Sequence, residues 1–399
     1  MFPRVDEQLC NGCGLCVEVC AGLAGSRAFA DTLPLDPFVG QCLESCVGRS
    51  TDQKVYAASQ SGGVVSQLLI DALEASDVDA CAVVGMERRH PPRPTAYMAR
   101  TRRDVLDARA SKYCPVPLLQ VLREAAERSE RIALVGLSCH MHGLQMLVQG
   151  GFAAGATVKL KVGLICDRTL TLAALDYLVR RAGAQRACNL TFRDKIRTGY
   201  PGDVSVEEED GTVRHLPKSE RMAIKDFFTP ARCRLCFDKM NVLADVTVGD
   251  PWGIARNTKT GECVVVARTE GGRRALECSR ASGTVETRPV PYEQVTAGQH
   301  IDAKRDDWSA YCRAWEQMGR PLPGYYRAVA SSVPQEVAST RQIWSRLKWS
   351  LGLDDYASRE KLLRHVTRIR ASGRLHTWLR SALRLGGRLV RGLVRWDRG

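Results

Sequence analysis

Hydrophobic and polar positions alternate in two rhythms between residues 51 and 257. Short apolar runs, Val78 to Gly85, Arg131 to Gly136, Thr157 to Cys166 and Asp245 to Gly249, have strand length, and several end in Gly or Cys. Between them, Val64 to Ala75 and Val116 to Ala126 repeat apolar residues at helical spacing. That alternation predicts an α/β fold. The flanks read differently. Residues 1–50 are rich in Cys and poor in either periodicity, as expected of a small module ordered by an inorganic core. Residues 258–335 are mixed and continue the central domain, and residues 336–399 predict basic, amphipathic helical segments broken by Gly352 and Gly373.

Length adds that 399 residues exceed what one core usually organises, so two or three domains are expected. No membrane-crossing helix is expected, since the longest uncharged stretch, near Tyr56 to Ile70, is short and broken by Ser59, Gln60, Ser61, Gly62 and Gly63. The N-terminus lacks a charged-then-apolar secretory pattern, which predicts a cytoplasmic chain. In that reducing setting, 16 cysteines read as metal ligands or buried thiols rather than as disulfides.

The formal charge of +14 suggests nucleic acid until it is located. From Arg341 onward there are 15 Lys or Arg and 4 Asp or Glu, so +11 of the +14 lies in the last 59 residues. There Arg374, Arg380, Arg384, Arg388, Arg391 and Arg395 interleave with Leu375, Leu379, Leu383, Leu389 and Trp378. This pattern favours the inner face of an anionic membrane, with an acidic partner or a solvated extension as alternatives, and argues against a phosphate track.

The cysteines carry the clearest chemistry. Cys10, Cys13 and Cys16 lie in LCNGCGLCVEVC, where two-residue spacing with Gly12 and Gly14 lets thiolates converge on a cubic 4Fe-4S cluster. Zinc is the alternative, but it favours two C-x2-C pairs separated by a longer loop. Cys46 is the preferred fourth ligand and Cys20 the second choice, because no Pro follows Cys20 as it does in ferredoxin runs. A second set, Cys139 and Cys166 at strand ends with the pair Cys233 and Cys236, could close another four-thiolate cage. Isolated cysteines at strand ends are also common as small buried hydrophobes. Cys81, Cys114, Cys188, Cys263, Cys278 and Cys312 stand singly and read as packing residues.

Taken in order, LCNGCGLC, SQSGGVVSQLL at 59–69, ASKYCPVP at 110–117, ALVGLSCH at 133–140, GLICDR at 163–168, FRDK at 192–195 and CRLCFDKMNVLADVTVGDPWG at 233–253 resemble the beta-subunit family of coenzyme F420 hydrogenases and dehydrogenases. The likeness covers residues 8 to 257. It implies a ferredoxin-like 4Fe-4S module at 1–50, an α/β domain at 51–257 binding FAD and a 4Fe-4S cluster on Cys139, Cys166, Cys233 and Cys236, and thus two clusters in all. The chain departs from the family where Leu137-Ser138-Cys139-His140 replaces Thr-Pro-Cys-Gln and Cys46-Val47-Gly48 replaces Cys-Pro-Gly. The thiols survive both changes.

Read from chemistry alone, the remaining motifs agree. Ser61, Gly62 and Gly63 precede an amphipathic run, where helix-end amides could hold a pyrophosphate or simply cap the helix. Lys112 and Tyr113 suit a fixed charge and a stacking surface for flavin. Arg193 and Lys195 could bind phosphate or carboxylate, Asp250 is the preferred polar contact on a flavin-pocket wall, and His140 and His142 are weaker proton-donor candidates beside Cys139. A cluster passes single electrons whereas hydride carriers take two, and a flavin joins the two regimes. The expected function is an iron–sulfur flavoenzyme moving electrons between ferredoxin or a partner subunit and F420 or an organic substrate, on a bacterial polysaccharide-associated branch of the family. A relay subunit without its own catalysis and a zinc-stabilised binding protein are the alternatives.

Overall fold

The structure is a computed structural model, and it describes residues 5–20, 32–254, 261–333 and 340–351 with the isolated positions 364 and 368. Eight strands form one sheet in the order β11-β1-β10-β9-β5-β4-β2-β3. They are β1 (Glu44–Ser50), β2 (Ala80–Glu87), β3 (Arg93–Ala99), β4 (Ile132–Gly136), β5 (Val158–Leu164), β9 (Val246–Gly249), β10 (Cys263–Ala267) and β11 (Val285–Pro289). A smaller antiparallel sheet holds β6 (Ala187–Asp194), β7 (Asp203–Glu208) and β8 (Val213–Leu216).

In the large sheet, β2, β4, β5 and β9 run parallel, and antiparallel pairs flank them on both sides. Parallel strands require covered faces, and they have them. Ala133 and Val162 face one apolar layer with Leu68 and Leu69 of α1 (Val64–Glu74), while Ile132 and Leu134 face another with Met141 and Leu144 of α2 (Ser138–Gln149). All five residues of β10 are buried, with Val265 in one layer and Val264 and Val266 in the other. The α/β expectation therefore holds as a mixed α/β fold.

One difference concerns β1. Residues 44–50 were expected to belong with the Cys-rich segment, yet they form an interior strand pairing Val47 with Val264 and Arg288. Their partners lie more than 200 residues downstream, beyond the reach of local periodicity, and burial of four consecutive residues hides the two-residue alternation.

The small sheet packs through Leu190, Phe192, Val204 and Val206 against Leu175 and Leu178 of α3 (Leu172–Arg181) and Ile224, Phe227 and Phe228 of α4 (Lys218–Phe228). Helix α5 (Glu270–Ala281) covers the large sheet beside α1, and α6 (Ile301–Gln317) buries Trp308, whose indole donates to the Leu235 carbonyl at 2.9 Å. The start of the basic tail is docked rather than free. Helix α7 (Arg341–Leu351) packs on α4 and α6, Trp349 lies 4.5 Å from Phe227, and Arg346 donates to Asp226 at 3.0 Å. The Arg374–Arg395 pattern lies outside the described residues. No described helix is long and apolar enough to cross a membrane.

Candidate functional site

Topology delivers the chemistry to one edge. At the carboxyl ends of the parallel strands, β4 leads into Ser138 and Cys139, β5 into Ile165 and Cys166, and β9 into Asp250. Because β10 runs antiparallel to β9 and β1, its first residue Cys263 and the end of β1 reach the same edge, where the Ser50 amide donates to Gly62 O at 2.7 Å. Carboxyl edges of α/β sheets are where sites are usually built.

Cys139, Cys166, Cys233 and Cys236 are brought together there. Each of Cys139 and Cys166 interacts electrostatically with the other cysteines of the Cys233–Cys236 pair, and Cys166 also with Cys139. Among the described residues no group of three or more His, Cys, Asp or Glu is set as a site for a single metal ion. Burial pushes the Cys139 thiol up to about 12 and raises Cys166 and Cys236, with neighbouring sulfurs adding to all three. Without metal these groups are therefore thiols, and a metal must displace their protons to bind. Arg232 is the compensating cation. Its Nη1 donates to Tyr325 Oη at 2.6 Å, and despite burial it is held above its ordinary value by Tyr325 and the surrounding cysteines. Its position one residue before Cys233 was a signal that could have found it.

The two histidines serve structure. His140 accepts the Leu137 amide at Nδ1 (3.2 Å) and faces the Val116 carbonyl at 3.2 Å through Nε2, and burial lowers its pKa to about 4. Both ring nitrogens are engaged by backbone, which removes the proton-donor role considered from sequence. His142 is fully buried, stacks on Phe237 and meets Asp238 at 3.0 Å, and Asp238 in turn accepts the Val242 amide at 3.1 Å. This pair braces the chain behind Cys236.

The N-terminal thiols are arranged differently. Cys10, Cys13 and Cys16 are exposed and Cys20 is half-buried, with Gly12 and Gly14 at φ of 73° and 76°. Cys46 is 1% exposed inside β1, beneath Arg280 at 3.4 Å. Burial pushes it up to about 11. The structure therefore does not present Cys46 as it presents the other three thiols. Strand pairing on both sides fixes it in the sheet.

The expected flavin contacts converge on a second site. Asp250 accepts from Ser61 Oγ and, at 2.7 Å, from Arg193 Nη1. Arg193 and Asp250 side chains are 7% and 12% exposed, making this a buried ion pair. Lys195 Nζ donates to the carbonyls of Tyr56 and Ser61, both at 2.8 Å. Tyr113 packs edge-on to Phe192 and lies beside Arg193. Gln60 joins the loop before Lys112, accepting the Ser111 amide at 3.1 Å and donating to Arg193 O at 3.3 Å. Lys112 Nζ caps the carbonyls of Ala108 and Arg109, and burial with the Arg109 charge pushes it down to about 7. The Trp252 ring, two residues beyond Asp250, is 47% exposed.

Gly62 and Gly63 do not face an open cradle. The Gly62 amide donates to Cys263 Sγ at 3.2 Å, and the amides of Gly63 and Val64 also act on that sulfur. Burial raises the Cys263 thiol to about 11, partly offset by those amides. The helix end expected to hold pyrophosphate is filled by a side chain. A Cβ on Gly62 would meet Gly48 O at 2.6 Å, which explains glycine there by close approach. Of the other single cysteines, Cys81, Cys114, Cys188 and Cys312 are buried as expected, whereas Cys278 is exposed. Missed entirely from sequence was Arg221 of α4, whose guanidinium sits 4.9 Å from the Tyr113 ring centre. A single Arg on an amphipathic helix carries no sequence pattern that marks it.

Lys195 yields a pH prediction. Burial, reinforced by Arg193 and opposed by Cys263, lowers it from 10.5 to about 8. A lysine depressed on folding binds fewer protons folded than unfolded between those values, so its penalty is full below pH 8 and is relieved as pH rises to 10.5. Wild type is expected to gain stability over Lys195→Met by on the order of 3 kcal/mol across that window, read from urea midpoints at each pH. A constant difference would contradict the buried charge.

Comparison with known proteins gives three matches within this chain. Residues 45–123 match the N-terminal part of the beta subunit of coenzyme F420 hydrogenase/dehydrogenase, residues 129–293 match the C-terminal part of the same beta subunit, and residues 2–25 match a 4Fe-4S binding domain. The coenzyme F420 hydrogenase subunit beta of Methanosarcina barkeri is 26% identical over 268 residues, covering 66% of this chain and 87% of that one. An F(420)H(2) dehydrogenase subunit of Methanosarcina mazei is 28% identical over 302 residues, covering 75% and 78%. A solved chain of the F420-reducing [NiFe] hydrogenase complex from Methanosarcina barkeri shares the fold, with a TM-score of 0.56 and 23% identity over 73% of this chain and 99% of that one.

Proposed function

Because the chain belongs to the coenzyme F420 hydrogenase/dehydrogenase beta-subunit family, we propose that it is an iron–sulfur flavoprotein oxidoreductase with two 4Fe-4S clusters and one FAD. The 4Fe-4S match makes it an iron–sulfur redox protein, and its named relatives are redox enzymes or their subunits. In this reading Cys139, Cys166, Cys233 and Cys236 hold one cluster. Cys10, Cys13 and Cys16 hold the other with Cys20, the fourth thiol inside the matched residues 2–25, in place of the buried Cys46. The observation that carries the proposal is the gathering of four thiols from three separate segments around one half-buried arginine, Arg232.

Bound clusters would pass single electrons and a bound flavin would exchange either one or two, which is the conversion the family's chemistry needs. The protein's own groups would do the rest. Arg232 offsets the negative charge of the thiolate cage, which half-buried Cys139, Cys166 and Cys236 would share with Cys233. Ser61, Tyr113, Arg193, Lys195 and Asp250 form the wall against which FAD would be oriented, with the exposed Trp252 ring as a stacking surface. Lys112, pushed down to about 7 by burial, would hold or release a proton at Nζ.

Electrons would come from ferredoxin or a partner subunit and leave to F420 or another organic acceptor, or travel in reverse. That two relatives are named as subunits favours a second form of this reading, in which the chain relays electrons inside a larger assembly. Anaerobic reconstitution with iron and sulfide tests the proposal: about eight irons and one flavin per chain are expected. Colourless protein without sulfide or flavin would overturn it.

A further inference from the structure

Helix α7 lies beyond residue 293, where the match to the beta-subunit family ends, yet it is built into the surroundings of Cys139, Cys166, Cys233 and Cys236. Its Ile343 and Leu347 are buried in the same apolar cluster as Leu235 and Phe237, the sequence neighbours of Cys236 on either side. Its Ser350 Oγ donates to the Thr229 carbonyl at 2.7 Å. The helix also packs directly on Ala231–Arg234, the short helical turn that carries Cys233. Held at these points, α7 fixes where that turn sits.

The polar link is Asp226, where three guanidiniums meet. Arg346 of α7 donates to Asp226 Oδ2 at 3.0 Å, while Arg168 and Arg234 donate to Oδ1 at 3.3 and 3.4 Å. Arg234 adds a bond to the Asp226 carbonyl at 2.8 Å. Arg168 follows Cys166 by two residues and Arg234 follows Cys233 by one, so a single carboxylate ties α7 to both thiol-bearing segments. The next residue, Thr169, joins those segments directly, its Oγ1 3.5 Å from Cys233 Sγ. A cavity of about 30 Å³ is lined by Cys233 together with Arg168, Arg234 and Lys304, and by Asp167 and Asp307. The guanidiniums held by Asp226 therefore share one small space with the Cys233 sulfur. A cluster gains negative charge on reduction, so its potential follows the charges and hydrogen bonds set around its sulfurs.

We propose that Arg346 is a positioning residue for the cluster on Cys139, Cys166, Cys233 and Cys236: through Asp226 it fixes Arg168 and Arg234 beside Cys233, and so raises the potential at which that cluster takes an electron. The proposal rests on the ligand set given above and concerns no flavin contact. Loss of Arg346 leaves Asp226 with one cation fewer and loosens its hold on the other two, and both effects disfavour added negative charge at the sulfurs.

The test compares the full-length, anaerobically reconstituted chain as wild type, Arg346→Gln and Arg346→Lys. Redox titration followed by paramagnetic resonance gives the potential of each cluster, and iron content and Tm are measured alongside. The signal that disappears in Cys236→Ser identifies the cluster concerned. Arg346→Gln is expected to keep the iron and both signals of wild type, while the reduction equilibrium of that one cluster moves against the electron by about threefold or more, roughly 30 mV for a one-electron couple. Arg346→Lys, which keeps the charge and can still reach Asp226, is expected to recover most of the shift. A lower Tm with both potentials unchanged makes α7 a structural brace alone and overturns the proposal, as does an equal shift in both clusters. Should Arg346→Gln not fold, Ser350→Ala, which releases the tie to Thr229 without a change of charge, is expected to move the same potential in the same direction, and no movement there overturns the proposal. Failure of the ligand set is read separately, as Cys236→Ser that loses neither signal while Arg346 is intact, and it removes this proposal with it.

Discussion

Cys236→Ser, reconstituted without oxygen, is expected to carry about four irons where wild type carries about eight, with one paramagnetic cluster signal lost and the other kept. The reason lies in the separation of the two thiol sets. Cys236 belongs with Cys139, Cys166 and Cys233 at the carboxyl edge of the parallel strands, while Cys10, Cys13 and Cys16 are exposed on their own segment. A serine at 236 supplies a hydroxyl that ionises far less readily than a thiol and binds iron poorly, in a site whose burial already opposes charge. The remaining three thiols would face Arg232 with one corner of the cube missing. Cys20→Ser should show the complementary loss, and Cys46→Ser should leave both signals intact, because Cys46 is packed in β1 under Arg280. Unchanged iron in Cys236→Ser would show the ligand set to be wrong, and loss of all iron in it would show that the two thiol sets are not independent.

What could be read from the chain beforehand follows interaction range. The strands at 80–87, 132–136, 158–164 and 246–249 were visible because each is a short apolar run ending at a chemically distinctive residue. The thiol candidates stood out for the same reason: Cys139 and Cys166 follow closely on the ends of apolar strand runs, and Cys233 and Cys236 carry their spacing in sequence. β1 was not legible, because its partners β10 and β11 are distant and both its faces are covered. Arg268 was equally hidden. It is 2% exposed and donates to Thr247 and to the carbonyls of Gln41 and Met240, tying three segments that only the fold brings together. Arg221 failed for a different reason, since one charge on an amphipathic helix has no pattern that separates a solvated residue from a ligand. The SGG motif shows the converse. Its glycines were noticed, but what they approach, the Gly48 carbonyl and the Cys263 sulfur, is set by strand pairing.

Asp250→Ala is expected to destabilise the chain by about 3–5 kcal/mol, the usual consequence of removing one partner from a buried ion pair. Arg193 is 7% exposed and cannot turn to water, so loss of the carboxylate leaves Nη1 as well as Nη2 without an acceptor and strands a buried cation. Ser61 Oγ loses its acceptor in the same step, at the turn leading into α1. Lys195 and Arg221 then face Arg193 with no counter-charge between them, adding repulsion to desolvation. Asp250→Asn, which keeps an oxygen for Arg193 but not the charge, should fall between wild type and alanine. The measurement is the urea midpoint of each variant with flavin removed, so that cofactor loss does not enter the comparison. A fall below about 1 kcal/mol would place Asp250 among the weakly coupled surface carboxylates.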